Sequence, residues 1–127
     1  MGPCNRMGDS EDEKTATMLR LFRYEGWEEK TVAEPHADLG LLSCVVGNVP
    51  GLEVWDGFDW IAIEKDYTTP CATLLGGRQL ERLSNHLYPA GGHRVVSYGQ
   101  PKVVEEGSSG SPAYRFSIVF VLRAHGK

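Results

Sequence analysis

Two side chains that could bind a metal ion stand two positions apart in the segment Pro35-His36-Ala37-Asp38. Because successive side chains of an extended strand alternate between faces, His36 and Asp38 would point the same way. An imidazole and a carboxylate that converge in this way form part of a 2-His-1-carboxylate triad. Such a triad leaves coordination positions open and suits Fe(II) and dioxygen chemistry. A three-residue match also arises by chance, so this interpretation depends on a third ligand.

The third ligand has to be another histidine, and the sequence offers His86, His93 and His125. His125 lies near the last residue of the sequence, where we expect it to be exposed, and His86 follows a predicted helical turn. His93 follows a Gly-Gly turn and begins a predicted strand, where the rim of a barrel would present it. We therefore predict His93 as the third ligand, although a lone histidine is more often an ordinary surface or core residue.

A second polar pair, Arg115 and Ser117, lies in the apolar segment 114–122. Both alternating faces of this segment are apolar beyond Ser117, so we expect much of the strand to be buried. A buried guanidinium without an anion costs on the order of several kcal/mol, and a guanidinium beside a hydroxyl suits the capture of a carboxylate. The alternatives are a structural ion pair with a protein Asp or Glu, or an arginine whose charged end reaches solvent.

The composition favours one small globular domain and argues against several classes of partner. The chain has 127 residues, of which 41% are hydrophobic and 24% charged, as in ordinary soluble domains. The net charge of −4 without a basic block argues against nucleic acid or an anionic membrane as a partner. Three cysteines without Cys-x-x-Cys spacing argue against a disulfide framework and a thiolate zinc site, and they favour a cytoplasmic location.

Turn signals divide the chain into short apolar segments, since it contains 15 glycines and seven prolines. This spacing favours an all-β sandwich or barrel with one short helix over parallel βαβ units. The predicted strands are 15–24, 31–37, 41–46, 52–55, 60–63, 71–75, 93–98 and 113–122, and residues 78–84 predict one or two helical turns. We interpret residues 1–14 as a disordered leader, 15–124 as the domain and 125–127 as a tail.

Several segments, taken in order, resemble the 2-oxoglutarate- and Fe(II)-dependent oxygenases of the isopenicillin N synthase-like branch. The resemblance extends over most of residues 17–122. The similar segments of that family are H-x-D-x-G-x-L, G-L-Q-V with W-x-x-V, L-x-x-x-S-N-G with H-R-V, and R-x-S. In this sequence they correspond to residues 35–42, 51–54 with 60–63, 80–85 with 93–95, and 114–117.

The resemblance implies a double-stranded β-helix, or jelly roll, in which His36, Asp38 and His93 ligate iron. It implies an Fe(II)- and 2-oxoglutarate-dependent dioxygenase that uses O₂ to hydroxylate or otherwise oxidise a small organic substrate. In that reaction 2-oxoglutarate is decarboxylated to succinate. Two alternatives stay open, namely a non-catalytic jelly-roll fragment and a triad-iron oxidase that does not use 2-oxoglutarate.

The resemblance also implies a binding site for the co-substrate. Arg115 and Ser117 would bind the distal carboxylate of 2-oxoglutarate, and Tyr24 would contact the same molecule. The family's N-x-Y segment has Phe22 in place of Asn here, which weakens the assignment of Tyr24.

Three further features depart from the family. Arg78 stands where the family has Asp, and His86 stands where it has Gly. Members of the family also carry a long, mostly helical N-terminal region that supports the barrel and helps to shape the substrate pocket, and this sequence lacks it. The chain would therefore be a minimal domain, a fragment or a degenerate member, with a covalent or non-covalent N-terminal region as an expected partner.

Overall fold

The computed structural model of the chain describes residues 16–25, 28–99 and 114–124. These residues form two four-stranded sheets, in the orders β1-β8-β3-β6 and β2-β7-β4-β5. The strands are β1 (Met18–Glu25), β2 (Glu29–His36), β3 (Leu42–Gly47), β4 (Leu52–Trp55), β5 (Trp60–Ile61), β6 (Thr73–Gly76), β7 (His93–Tyr98) and β8 (Tyr114–Leu122). The predicted leader 1–14 and tail 125–127 lie outside the described residues.

The connectivity of the two sheets is that of a jelly roll. Every strand pair is antiparallel, and consecutive strands alternate between the two sheets except at β4 and β5, which form a hairpin. The predicted all-β fold, a double-stranded β-helix with one short helix, is confirmed. That helix, α1, spans Arg78–Leu83, and no helix of the described part of the chain has the length and apolarity needed to cross a membrane.

The core lies between the sheets and is small. Its buried apolar side chains are Val45, Leu52, Leu75, Val95 and Val121. Each comes from a different strand, and β-branched or leucine side chains alternate there with residues that face away. These side chains therefore hold the two sheets together. They lie next to a cavity that contains the candidate site described below.

The hairpin strand β5 is shorter than predicted. It ends at Ile61, and a 3₁₀ helix spans Ile63–Asp66, so the predicted strand over 60–63 is wrong at its end. The carboxylate of Glu64 accepts hydrogen bonds from the backbone nitrogens of Gly51 and Leu52, at 3.0 and 2.7 Å. These bonds turn the chain back towards the start of β4 instead of continuing the strand.

The expectation that much of β8 is buried holds for only one face of the strand. Phe116, Ile118 and Phe120 are exposed, whereas Arg115 and Ser117 are buried. Strand β8 is a central strand, hydrogen-bonded to β1 and β3, but only one face of its sheet packs against the other sheet. The apolar residues of alternate positions consequently point outwards.

Candidate metal centre

The structure brings His36, Asp38 and His93 together at one end of the jelly roll. His36 is the last residue of β2 and pairs with His93, the first residue of β7. Their Nε2 atoms lie 3.3 and 3.6 Å from Oδ1 of Asp38. One nitrogen or oxygen ligand atom from each of the three residues lies within 4.8 Å of the others, close enough for one ion to contact all three.

Hydrogen bonds to the backbone orient both imidazoles. Nδ1 of His36 is 2.7 Å from the carbonyl oxygen of Glu34, and Nδ1 of His93 is 2.9 Å from that of Gly91. When Nδ1 donates its proton to a carbonyl, Nε2 keeps its lone pair and can ligate a metal. Two imidazoles and one carboxyl group therefore present three ligand atoms, which suits a divalent transition-metal ion.

Asp38 is held both by its side chain and by its backbone. The hydroxyl of Ser43 donates to Oδ2 of Asp38 at 2.5 Å, which leaves Oδ1 towards the histidines. The amide of Arg78, at the start of α1, donates to the Asp38 carbonyl at 2.8 Å. Sequence analysis missed Ser43, although its place at the start of the apolar strand β3 makes it one of the few polar side chains there.

Two glycines allow α1 to approach the loop that carries Asp38. The amide of Gly77 donates to the Leu41 carbonyl at 2.9 Å, and the amide of Gln79 donates to the Gly40 carbonyl at 3.0 Å. A Cβ atom on Gly77 would overlap the backbone of Gly40. The Gly40–Gly77 contact thus joins the loop that contains Asp38 to the helix.

The three candidate ligands line a cavity of about 80 Å³ that also contains Ser117 and Tyr24. Ser117 is buried on β8, and its neighbour on β1 is Phe22 rather than Tyr24. The cavity wall beyond the ligands is mostly apolar, with Val45, Leu52, Val95, Val119 and Val121 among its residues. Such a wall limits the access of water to an ion bound there.

Arg115 lies beside this cavity rather than among its lining residues. It pairs with Tyr24 across β1 and β8, and it lines a neighbouring cavity of about 190 Å³ together with Lys65 and Tyr98. Tyr24 lines both cavities. Burial raises the pKa of the Tyr24 phenol, an effect that the positive charge of Arg115 partly opposes, so the phenol is neutral near pH 7 and can donate a hydrogen bond.

The guanidinium of Arg115 forms a buried ion pair with Glu64. Nη1 lies 3.0 Å from Oε1 of Glu64, and the two side chains are only 6% and 8% exposed. Nη1 also donates to the Val49 carbonyl. Nε and Nη2 are buried without a hydrogen-bond partner among the described residues. The structural ion pair left open from the sequence is therefore present, while Nε and Nη2 of Arg115 have no acceptor among the residues that the structure describes.

A second arginine and glutamate pair lies elsewhere in the sheet β2-β7-β4-β5. Arg94 contacts Oε1 of Glu53 through Nε at 2.8 Å and Nη2 at 2.6 Å. The Tyr98 hydroxyl donates to Oε2 of Glu53 at 2.8 Å. Burial, followed by this hydrogen bond, raises the pKa of Tyr98. Arg94, Tyr98 and Glu53 therefore satisfy one another's hydrogen bonds. Unlike Arg115, Arg94 has no buried donor atom without a partner among the described residues.

The other two histidines considered from the sequence are not part of this centre. His86 is exposed after α1, with Nδ1 4.0 Å from Oε1 of Glu81, and His125 lies outside the described residues. Asn85 and His86 have φ values of 54° and 66°, in the left-handed region that favours glycine. This conformation explains why a glycine suits the position of His86.

No protein-family model and no curated protein matches this sequence. Solved structures do match it. A full-length Neurospora crassa protein, crystallised with alpha-KG and thymine, superposes with a TM-score of 0.66 at 22% identity, over 83% of this chain and 32% of its own. A protein from Caulobacter crescentus, described as of the 2OG-Fe(II) oxygenase family, has a TM-score of 0.61 at 32% identity, over 84% and 33%.

A third structure is AtDAO1 of Arabidopsis thaliana, a dioxygenase for auxin oxidation crystallised with 2-oxoglutarate. It has a TM-score of 0.61 at 20% identity, over 84% of this chain and 37% of its own. This chain has the fold of the 2-oxoglutarate/Fe(II) oxygenases. It spans about a third of the length of these proteins. Membership of the isopenicillin N synthase-like branch stays a prediction.

Proposed function

We propose that this chain is the jelly-roll domain of an Fe(II)- and 2-oxoglutarate-dependent dioxygenase that oxidises a small organic substrate. The observation that carries the proposal is the convergence of two imidazole Nε2 atoms on one carboxylate oxygen, 3.3 and 3.6 Å away. It occurs in a fold whose solved examples include proteins crystallised with 2-oxoglutarate.

The proposed iron ligands are His36, Asp38 and His93. Their chemistry fits Fe(II), since two imidazoles and a carboxylate leave coordination positions for other molecules. When bound, Fe(II) would supply, with 2-oxoglutarate and O₂, the oxidising power for attack on a C–H bond, while 2-oxoglutarate would be oxidatively decarboxylated to succinate and CO₂. The protein holds the two Nε2 atoms in place through the hydrogen bonds between each ring's Nδ1 and a backbone carbonyl oxygen. The apolar wall of the cavity shields the Nε2 atoms from water.

The proposed co-substrate residues are Arg115, Ser117 and Tyr24. Two buried donor atoms of Arg115 have no partner in the described part of the chain and fit a carboxylate, because an unsatisfied buried donor is costly. Ser117 and Tyr24 line the cavity that the three candidate metal ligands also line. Their hydroxyl groups can donate hydrogen bonds to the same carboxylate. The ion pair of Arg115 with Glu64 is the observation that favours the second candidate, a triad-iron oxidase that does not use 2-oxoglutarate.

We further infer that a polypeptide region which this sequence does not contain completes the substrate pocket. The chain spans about a third of the Neurospora crassa protein, and the exposed apolar face of the sheet β1-β8-β3-β6 offers a surface for such a region. Small molecules are the proposed substrates, and the Neurospora crassa crystals contain one such molecule, thymine. A cytoplasmic location stays a prediction.

Anaerobic titration with Fe(II), with and without 2-oxoglutarate, tests the proposal. We expect Fe(II) to bind and the addition of 2-oxoglutarate to produce a visible charge-transfer band. Asp38→Ala should abolish both signals while the far-UV circular dichroism of the jelly roll is unchanged. Fe(II) binding without the band would favour the triad-iron oxidase, and absence of Fe(II) binding would leave the non-catalytic jelly roll.

A further inference from the structure

Glu64 places a protein carboxylate on the arginine that is expected to bind the co-substrate. It is the second residue of the 3₁₀ helix Ile63–Asp66. Its Oε1 atom lies 3.0 Å from Nη1 of Arg115 and accepts bonds from the amides of Gly51 and Leu52. Three donors therefore converge on one oxygen of this side chain.

The ion pair neutralises Arg115 before any ligand arrives. Both side chains are more than nine-tenths buried, so their charges are weakly screened by water and salt. A carboxylate that approached Nε and Nη2, which have no partner among the described residues, would share one positive charge with Glu64. Two carboxylates around one guanidinium repel each other, and the incoming ligand loses affinity.

We propose that Glu64 is an internal competitor for Arg115 and that it sets the affinity of this site for a dicarboxylate. The inference rests on the proposed function, because it takes 2-oxoglutarate as the ligand of Arg115. The dicarboxylate binds either at the Nε and Nη2 edge beside Glu64 or in place of Glu64. In both arrangements the negative charge of Glu64 weakens binding.

The contacts around the pair favour competition over a role in positioning Arg115. Arg115 has a second anchor in the Val49 carbonyl and packs against Gly51, whose added Cβ would lie 2.8 Å from Cδ of Arg115. Glu64 is itself anchored by two backbone amides. The amide oxygen of glutamine can accept those two bonds, so Glu64→Gln removes the charge and keeps the shape.

The test measures the Kd of 2-oxoglutarate by anaerobic calorimetry on the Fe(II)-loaded chain. Glu64→Gln should bind 2-oxoglutarate roughly tenfold more tightly than wild type, as expected when one poorly screened like charge is removed. Its Kd for Fe(II) should not change. Glu53→Gln is the matched control, since it neutralises the other buried glutamate paired with an arginine, and its Kd for 2-oxoglutarate should equal that of wild type.

A double variant shows whether the gain acts through Arg115. In the Arg115→Met background, Glu64→Gln should give no tighter binding. Equal or weaker binding by Glu64→Gln than by wild type would overturn the inference while the proposed function stands. If Glu64→Gln binds 2-oxoglutarate and wild type does not, the inference is supported and the proposed use of 2-oxoglutarate by the wild-type chain is overturned. If neither protein binds 2-oxoglutarate, the inference and the proposed function are both overturned.

Loss of the ion pair also destabilises the fold, because a buried charge loses its partner. If Glu64→Gln is unfolded in the absence of ligand, the experiment instead measures how far 2-oxoglutarate restores the folded state. Addition of 2-oxoglutarate should then restore its far-UV circular dichroism, and should raise its Tm more than that of wild type where both fold. No recovery, or an equal rise in Tm, would overturn the inference.

Discussion

At the scale of single residues, the candidate centre depends on how Asp38 is oriented. Its two oxygens have different partners, since Oδ1 faces the histidines and Oδ2 accepts the Ser43 hydroxyl. Ser43 is completely buried, so its hydroxyl cannot turn to water. The bond fixes the carboxylate so that Oδ1 faces the two histidines.

Ser43→Ala should therefore weaken metal binding without removing a ligand. We expect the Kd for Fe(II), measured by anaerobic titration, to rise by about 10- to 100-fold, which is the usual effect of losing a group that orients a ligand. The control is Ser97→Ala, whose hydroxyl accepts only a weak bond from Gly99 at 3.4 Å. Equal affinities of the two variants would show that Ser43 does not orient Asp38.

At the scale of elements, α1 supports the loop that contains Asp38 through backbone contacts. Gly77 must approach Gly40 more closely than any side chain allows, and the next amide, that of Arg78, bonds to Asp38. The end of the helix has a different constraint, because His86 adopts a positive φ. Each end of α1 thus depends on the residue type at one position.

Gly77→Ala should separate the helix from the loop and disturb Asp38. We expect at least a roughly tenfold loss of Fe(II) affinity, measured by the same titration, with the far-UV circular dichroism retained. Gly92→Ala is the control, because its added Cβ would meet Trp55 Cβ at an ordinary 3.5 Å. A normal affinity in Gly77→Ala would mean that the loop holds Asp38 without the helix.

His86→Gly should stabilise the chain. A side chain in the left-handed region costs about 1–2 kcal/mol, and the greater freedom of glycine in the unfolded chain offsets about 0.5–1 kcal/mol of this. We expect the free energy of unfolding, from urea titration, to rise by about 0.5–1 kcal/mol. His86→Ala keeps the Cβ atom and should not give this gain, so an equal gain would assign the effect to the imidazole.

At the scale of the whole molecule, the outer face of the sheet β1-β8-β3-β6 is apolar across all four strands. One row runs from Leu19 through Phe120 and Cys44 to Leu74 by direct strand pairing. The next row includes Leu21 and Ile118. Most of these side chains are exposed. Contiguous apolar surface of this kind is uncommon on isolated soluble domains.

The apolar face should bind a hydrophobic dye. Leu21→Thr combined with Ile118→Thr should lower the fluorescence of bound ANS clearly, because both residues are exposed and threonine still favours a strand. Leu87→Thr changes an exposed leucine outside this sheet and should have little effect. Equal decreases would show that the dye does not bind to this face.

Local patterns made much of the fold predictable. The eight strands and α1 follow from turn residues and apolar alternation, which act within a few residues. The end of β5 was not predictable in this way, because Glu64 turns the chain by bonding to the start of β4. The exposed face of β8 was also unpredictable, since alternation identifies a strand but does not say how many of its faces are covered.

The candidate ligand pair His36-x-Asp38, the choice of His93 and the jelly-roll resemblance were all accessible from the amino-acid sequence, since they depend on residue types and short spacings. The groups that surround these residues became visible only in the folded chain. Ser43 meets Asp38, and Glu64 meets Arg115, because the packing of the two sheets brings those atoms together. Partners of buried charges depend on strand register and on loop paths, and neither is encoded in a local pattern.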